Sequence, residues 1–159
     1  MMRDDGGTAA VTTLVMLPLL LIVFVGVLEI GALRAIAHRA TSAADLATIV
    51  AVGDQDQAEL VRTGSLRLAT DAAETARDYF ARNLSATAPV LGASAEAIAA
   101  SADIASFPTA PSFDARTGAR YDRPTLRLIA QVPVRTPGLA ALLLPAITTL
   151  TIRSTSSPR

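Results

Sequence analysis

Few side chains in this sequence could do covalent chemistry. There is no cysteine, which excludes disulfide frameworks, thiolate metal sites and cysteine nucleophiles. The lone histidine, His38, has no second imidazole with which to build a metal site or a catalytic pair. No nucleophile elbow, phosphate-binding loop or histidine-based metal motif occurs, and Asp114 and Asp122 fall in a loop stretch without an identifiable partner. No catalytic residue, metal or cofactor is therefore expected. The basic residues are all arginine, and 14 of them balance 14 acids. Zero net charge argues against a phosphate-binding protein, and no nucleic-acid partner is expected. What remains is one acid, Glu29, at the end of a long apolar run, and a repeating series of small residues beyond it.

Thr8 to Leu28 supplies 21 uncharged residues in a row. A hydrocarbon core of about 30 Å needs around 20 apolar residues at 1.5 Å each, and only a helix satisfies its own backbone there. Residues 8–33 are predicted to form a transmembrane helix, gently bent at Pro18. Glu29 then lies about 30 Å from Thr8, at the far edge of the hydrocarbon. It either marks the helix exit as an interfacial carboxylate or pairs with a cation of a neighbouring subunit. Ala35, Ile36 and Ala37 offer a secretory cleavage site. The apolar run is longer than the roughly 7 to 15 residues usual for a signal, however, and Arg3 is followed by Asp4 and Asp5, so a retained anchor is expected. Arginine counts, Arg3 before the span against Arg34 and Arg39 after it, weakly favour the C-terminal flank inside.

The apolar period continues past the membrane. Ile30, Leu33, Ala37, Ala40, Ala44, Ala47 and Ala51 recur at steps of three and four, a heptad seam that shrinks from Ile and Leu to Ala. Small side chains let helix backbones approach closely. The seam can pack either on the chain's own C-terminal part or on other subunits, and Ile36, Ala43, Leu46, Ile49 and Val50 make a second flank apolar. Gly53 and Asp54 interrupt the run, and Asp54 with Gln57 has the form of a capping box. A second, amphipathic helix is expected from there to about Leu84, with Leu66, Ala69, Ala73, Ala76, Phe80 and Leu84 on one stripe and a weak point at Gly64 and Ser65. Residues 34–84 are thus a helical stalk.

Residues 85–159 change character. Alternation at Ile98, Ala100, Ala102 and Ile104 fits a half-buried strand, and Ser106 to Pro124, with three prolines and a glycine, fits a long loop. Thr125 to Val134 is the clearest strand. Leu126, Leu128, Ala130, Val132 and Val134 share one face, and Pro133 marks an edge or the strand's end. The leucine cluster Leu139, Leu142, Leu143 and Leu144 could rest on a membrane surface, but core filling is its expected use. A third strand is expected over Ile147 to Arg153. Residues 108 to 159 hold seven arginines against Asp114 and Asp122, a basic face suited to solvent or to an acidic partner. The fold class is α+β and membrane-anchored: a long N-terminal transmembrane helix with helical continuation, a second amphipathic helix, and a small antiparallel three-stranded sheet.

Several pieces in order carry a family resemblance: Arg3, Asp4, Asp5, Gly6 and Gly7; Ala9, Ala10 and Val11; Leu17, Pro18, Leu19 and Leu20; Leu28, Glu29, Ile30 and Gly31; and Ala43, Ala44 and Asp45. Over residues 3 to 52 the chain resembles the TadE/TadG-like proteins of bacterial tight-adherence (Flp) pilus assembly. The resemblance implies a single-pass inner-membrane protein with residues 1–7 in the cytoplasm and the C-terminal domain outside. It would act as a non-enzymatic minor pseudopilin or assembly factor, with lipid and other pilus or pseudopilin subunits as partners. Some members are cut by a prepilin peptidase after a glycine, which here implies the bond between Gly7 and Thr8. Thr12 stands where such prepilins carry a glutamate. The competing expectation is a secreted or signal-anchored extracytoplasmic enzyme or cell-wall-binding protein.

Overall fold

A computed structural model describes the backbone of residues 5–158 and the side chains from Val11 onward. The first helix, α1, runs unbroken from Asp5 to Gly53, 49 residues or about 74 Å, and passes through Pro18. It lives in two environments. Every side chain from Val11 to Phe24 is exposed, although these are Val, Leu, Met, Ile and Phe with little else. From Ala40 onward one face is closed over completely, and Ala40, Ala44, Ala47 and Ala51 have no exposed surface.

The rest of the chain folds against that second half. The expected single helix from Asp54 to Leu84 is instead two, α2 (Gln57–Thr63) and α3 (Ala72–Leu84). The cap is Asp56, not Asp54: its carboxylate accepts from the Glu59 N–H at 3.0 Å. Asp56 and Glu59 repeat, two residues later, the three-residue spacing of Asp54 and Gln57. The helix stops where Gly64 takes a left-handed φ of 70°, and the chain returns as a bridge between Gln55 and Leu68. Leu66 and Ala69 therefore leave the expected stripe and Ala72 is buried in place of Ala73, while Ala76, Phe80 and Leu84 keep it and pack on α1.

After a short 3₁₀ turn (Ser85–Val90), the stretch read as an alternating strand is helical as far as Ser101. This helix, α4 (Ala95–Ser101), is capped by Ser94 Oγ, which accepts from the Ala97 N–H. Alanines at every other position satisfy both periods. The deciding signals are the serine cap and the buried set Ala95, Ile98, Ala99 and Ala102 at helical spacing. The strand proper, β1, starts at Asp103 and ends at Phe107. The expected long loop contains a two-residue ladder, β2 (Ser112–Phe113) with β3 (Arg120–Tyr121), closed by Gly118 at φ 73°.

The sheet is antiparallel and three-stranded in the order β1, β4 (Thr125–Arg135), β5 (Ile147–Ser156), with the five-residue helix α5 (Pro137–Ala141) between β4 and β5. The face predicted for β4 is the buried one: Leu126, Leu128, Ala130, Val132 and Val134 all lie in the core. β4 is the central strand, yet β1 covers it only from Thr125 to Ile129. Pro133 sits beyond that point, where its missing N–H costs no sheet bond to β1, and its carbonyl accepts from the Gly92 N–H at 2.8 Å. The core is thus a sandwich of α1 and α3 on the inner face of the sheet, with Phe80, Leu84, Leu91 and Ile98 filling it.

Candidate functional site

The candidate features are surfaces and the contacts that hold them. Glu29 is half-buried on α1, and the backbone of Gly138 in α5 lies directly against it. A Cβ on Gly138 would stand 2.5 Å from Glu29 Oε2 and 3.2 Å from Val25 Cγ1. At Gly138 the β4–β5 connection therefore touches α1 at the residue where the apolar run ends, and any larger side chain there would have to displace the Glu29 carboxylate and press on Val25.

The predicted seam divides. Ile30 is exposed, Leu33 and Ala37 are half-buried, and Ala40, Ala44, Ala47 and Ala51 are enclosed by α3 and the sheet of the same chain. Of the two uses open to the alanines, the chain's own domain has taken the lower part. The second flank divides as well: Ala43 is buried and Ile36 packs against the same core, while Leu46 and Ile49 are more than half exposed with Val50 beside them. Gly7 and Thr8 lie in the first turns of α1, outside the residues whose side chains are described.

Hydroxyls and charges hold the domain to its helix. Thr48 Oγ1, with no exposed surface, donates to or accepts from Ser154 Oγ (2.9 Å) and Ser156 Oγ (2.8 Å), and Ser154 Oγ donates to Asp45 Oδ1 at 2.7 Å. Asp114, which the sequence leaves without a partner, has several. Its carboxylate accepts from the Arg116 N–H (3.0 Å) and from Thr117 Oγ1 (2.7 Å), and Arg127 Nε lies 2.8 Å away as an ion pair. Arg127 Nη1 also donates to Asp103 at 2.8 Å, and Arg116 closes the group on the same oxygen at 3.0 Å. The Thr117 hydroxyl holds the Asp114 carboxyl below the usual carboxylate range; burial opposes this, and the Arg116 N–H and the Arg127 charge reinforce it. The cluster staples the β2–β3 hairpin to the sheet. Arg127 thereby leaves the expected basic face, while Arg120, Arg123, Arg135 and Arg153 remain exposed.

The leucine cluster does not fill the core. Leu143 is 97% exposed, Leu144 and Ile147 are 52% exposed each, and Leu139 and Leu142 are only half-buried. Leu143 also has a φ of 60°, a left-handed conformation that costs a non-glycine residue about 1 kcal/mol or more. The base of the connection is nonetheless fixed. Thr136, with no exposed surface, donates from Oγ1 to the Pro145 carbonyl (2.8 Å) and from its N–H to the Ala146 carbonyl (2.9 Å). The signal that could have revealed this was present in the sequence: no charge occurs between Arg135 and Arg153.

No family model, curated protein or solved structure matches this chain. Among the described residues one helix, near the N-terminus, is long and apolar enough to cross a membrane. Among the described residues no three His, Asp or Glu side chains group as a metal site would require.

Proposed function

We propose that this protein is a single-span membrane component of a bacterial tight-adherence pilus or a related secretion apparatus. In this reading α1 is its anchor and the α+β domain stands on the extracytoplasmic side. It works by packing rather than by catalysis, as a minor pseudopilin or assembly factor. The observation that carries the proposal is the division of α1. The 14 residues of apolar helix from Val11 to Phe24 are all exposed, while the same helix continues without a break as the spine of a folded domain. Exposed apolar surface on that scale is stable only in lipid or against other apolar helices. The resemblance over residues 3 to 52 supplies the apparatus and the orientation, with the N-terminus in the cytoplasm.

Helix partners would meet Ile30 at the bilayer's outer edge and Leu46, Ile49 and Val50 above it, since Ala40, Ala44, Ala47 and Ala51 are already occupied and Leu33 packs against the same core. A cut after Ala37 would sever Leu33 and Ile36 from the core against which they pack. The test is the intact mass of the protein extracted from membranes after a carbonate wash. An uncut chain is expected for an anchored assembly factor, and loss of residues 1–7 for a peptidase-processed pseudopilin. A soluble product lacking everything through Ala37 would refute the anchor and favour a secreted protein.

A further inference from the structure

We infer that the connection between β4 and β5 is a second membrane contact, with Leu142, Leu143 and Leu144 seated in the lipid interface beside the point where α1 leaves the bilayer. The inference rests on α1 spanning that bilayer, and its position follows from two lengths measured along the chain. The distal end of β5 is tied to α1 at Thr48 by Ser154 and Ser156, and Gly138 touches α1 at Val25 and Glu29. Glu29 to Thr48 is 19 helical steps, about 28 Å, and Ile147 to Ser156 is nine strand steps, about 30 Å. β5 therefore runs alongside α1 with its distal end at Thr48, and the β4–β5 connection falls level with Glu29. Because Gly138 also meets Val25, one helical turn nearer the N-terminus, the connection reaches to the hydrocarbon side of Glu29 rather than stopping above it.

The chemistry of the loop fits lipid rather than water. Thr136 to Ile152 contains no charge, and the residues from Leu143 to Ile147 are all exposed. Exposed Arg34 lies about 8 Å along α1 beyond Glu29. Exposed Arg135 pairs in register with Ile147 at the same end of the sheet. Two guanidinium groups at headgroup height beside an apolar tip match an anionic lipid surface. The bonds from Thr136 close the loop's base, so the tip is already formed before it meets the membrane, and the left-handed Leu143 is held outward with nothing of the chain against it.

Because the chain has no cysteine, single cysteines report without background. The full-length protein would be reconstituted in vesicles of phosphatidylcholine and phosphatidylglycerol, with an environment-sensitive fluorophore at L143C, L20C or V61C. Val61 is exposed on α2, at the end of the domain away from Glu29. Lipids carrying a spin-label quencher near the headgroup or deep in the acyl chain are then added. The expected result is strong quenching of L143C by the shallow quencher, of L20C by the deep one, and none of V61C. Quenching at L20C but not at L143C would overturn the inference and leave the anchor standing. A blue-shifted but unquenched L143C would also overturn it, by showing that protein covers the tip. No quenching at L20C would remove the spanning helix itself. In a second measurement, L143D should lose most of the protection that vesicles give the Arg135–Thr136 bond against trypsin, and unchanged protection would count against the inference.

Discussion

Enlarging Ala44 separates two uses of the alanine seam that the sequence alone leaves open. Ala44 has no exposed surface and sits with Ala40, Ala43 and Ala47 in the same core as Phe80 and Leu84. Ala44→Leu adds three carbons where α1 meets the chain's own domain, and overpacking of this kind typically costs about 1–3 kcal/mol. A domain of this size has roughly 6–18 kcal/mol of stability, so it stays folded but melts roughly 4–12 °C lower. Ala44→Arg places a guanidinium with no partner in that core, at a cost of about 4 kcal/mol or more, and should leave little folded domain. Leu46→Arg, two residues away on the exposed flank, should change stability by no more than about 0.5 kcal/mol while weakening association with other helices. Trypsin is a suited probe, because it cuts only at arginine here and Arg127 is 4% exposed. Brief trypsin pulses across a urea series on the detergent-solubilised full chain therefore read the unfolded fraction. If Ala44→Leu unfolded at the wild-type urea concentration yet lost its subunit contacts, the seam would face other chains and the domain packing described above would be wrong.

Three further perturbations follow from the contacts. Thr48→Val keeps the shape of a buried side chain but removes the hydroxyl shared by Ser154 and Ser156; it should cost about 1–2 kcal/mol in the same urea assay. Ser154→Ala in that background should add less than it does alone. Asp114 is held ionised in the folded state, so its contribution is complete above the unfolded carboxyl pKa of about 4 and is lost as pH falls through the lower folded value. Acid titration of wild type and Asp114→Asn should therefore diverge in stability at neutral pH and draw together only as pH falls through the lowered folded value, and parallel curves would refute this. Gly138→Val forces a branched side chain against Glu29 and Val25 and should cost about 1–3 kcal/mol, seen as faster hydrogen exchange from Leu139 to Leu144. Glu29→Ala should recover part of that loss, which a merely stiffer backbone at residue 138 would not allow.

Where one physical signal dominated, the sequence was legible. The apolar run gave the long helix, the strict alternation of Leu126 to Val134 gave the central strand, and Phe80 and Leu84 were placed on the correct face of a helix. The failures share a cause. Alanine is compatible with period 2 and period 3.6, so Ala97 to Ala102 looked like a strand until the Ser94 cap and the burial of Ile98 with Ala95 and Ala99 decided it. Asp54 and Asp56 both precede a polar residue three places on, and local spacing cannot tell which of them turns the chain; the bridge between Gln55 and Leu68, a contact across 13 residues, does. The partners of Asp114 were invisible for a similar reason. Arg127 sits on the outward face of the strand by alternation, and only the fold of the intervening hairpin covers that face.

The surfaces proposed to act were harder to read, because their meaning depends on the surrounding solvent. Leu139 to Leu144 is a hydrophobic cluster, and in water such a cluster belongs in a core. The reason it need not be there lies in α1. As the seam passes from Ile30 and Leu33 to Ala40 and Ala51, its residues lose the bulk that suits lipid and acquire the smallness that suits a neighbouring backbone. If α1 is the proposed anchor, the change of side-chain size marks where one solvent ends and the other begins. Gly138 joins the leucine loop to the helix at that same level, next to Glu29. A cluster tied at this height has a third environment open to it besides core and water. Its exposure is then consistent with the folding of the domain, because in the proposed arrangement the membrane interface would supply the apolar cover that the domain does not.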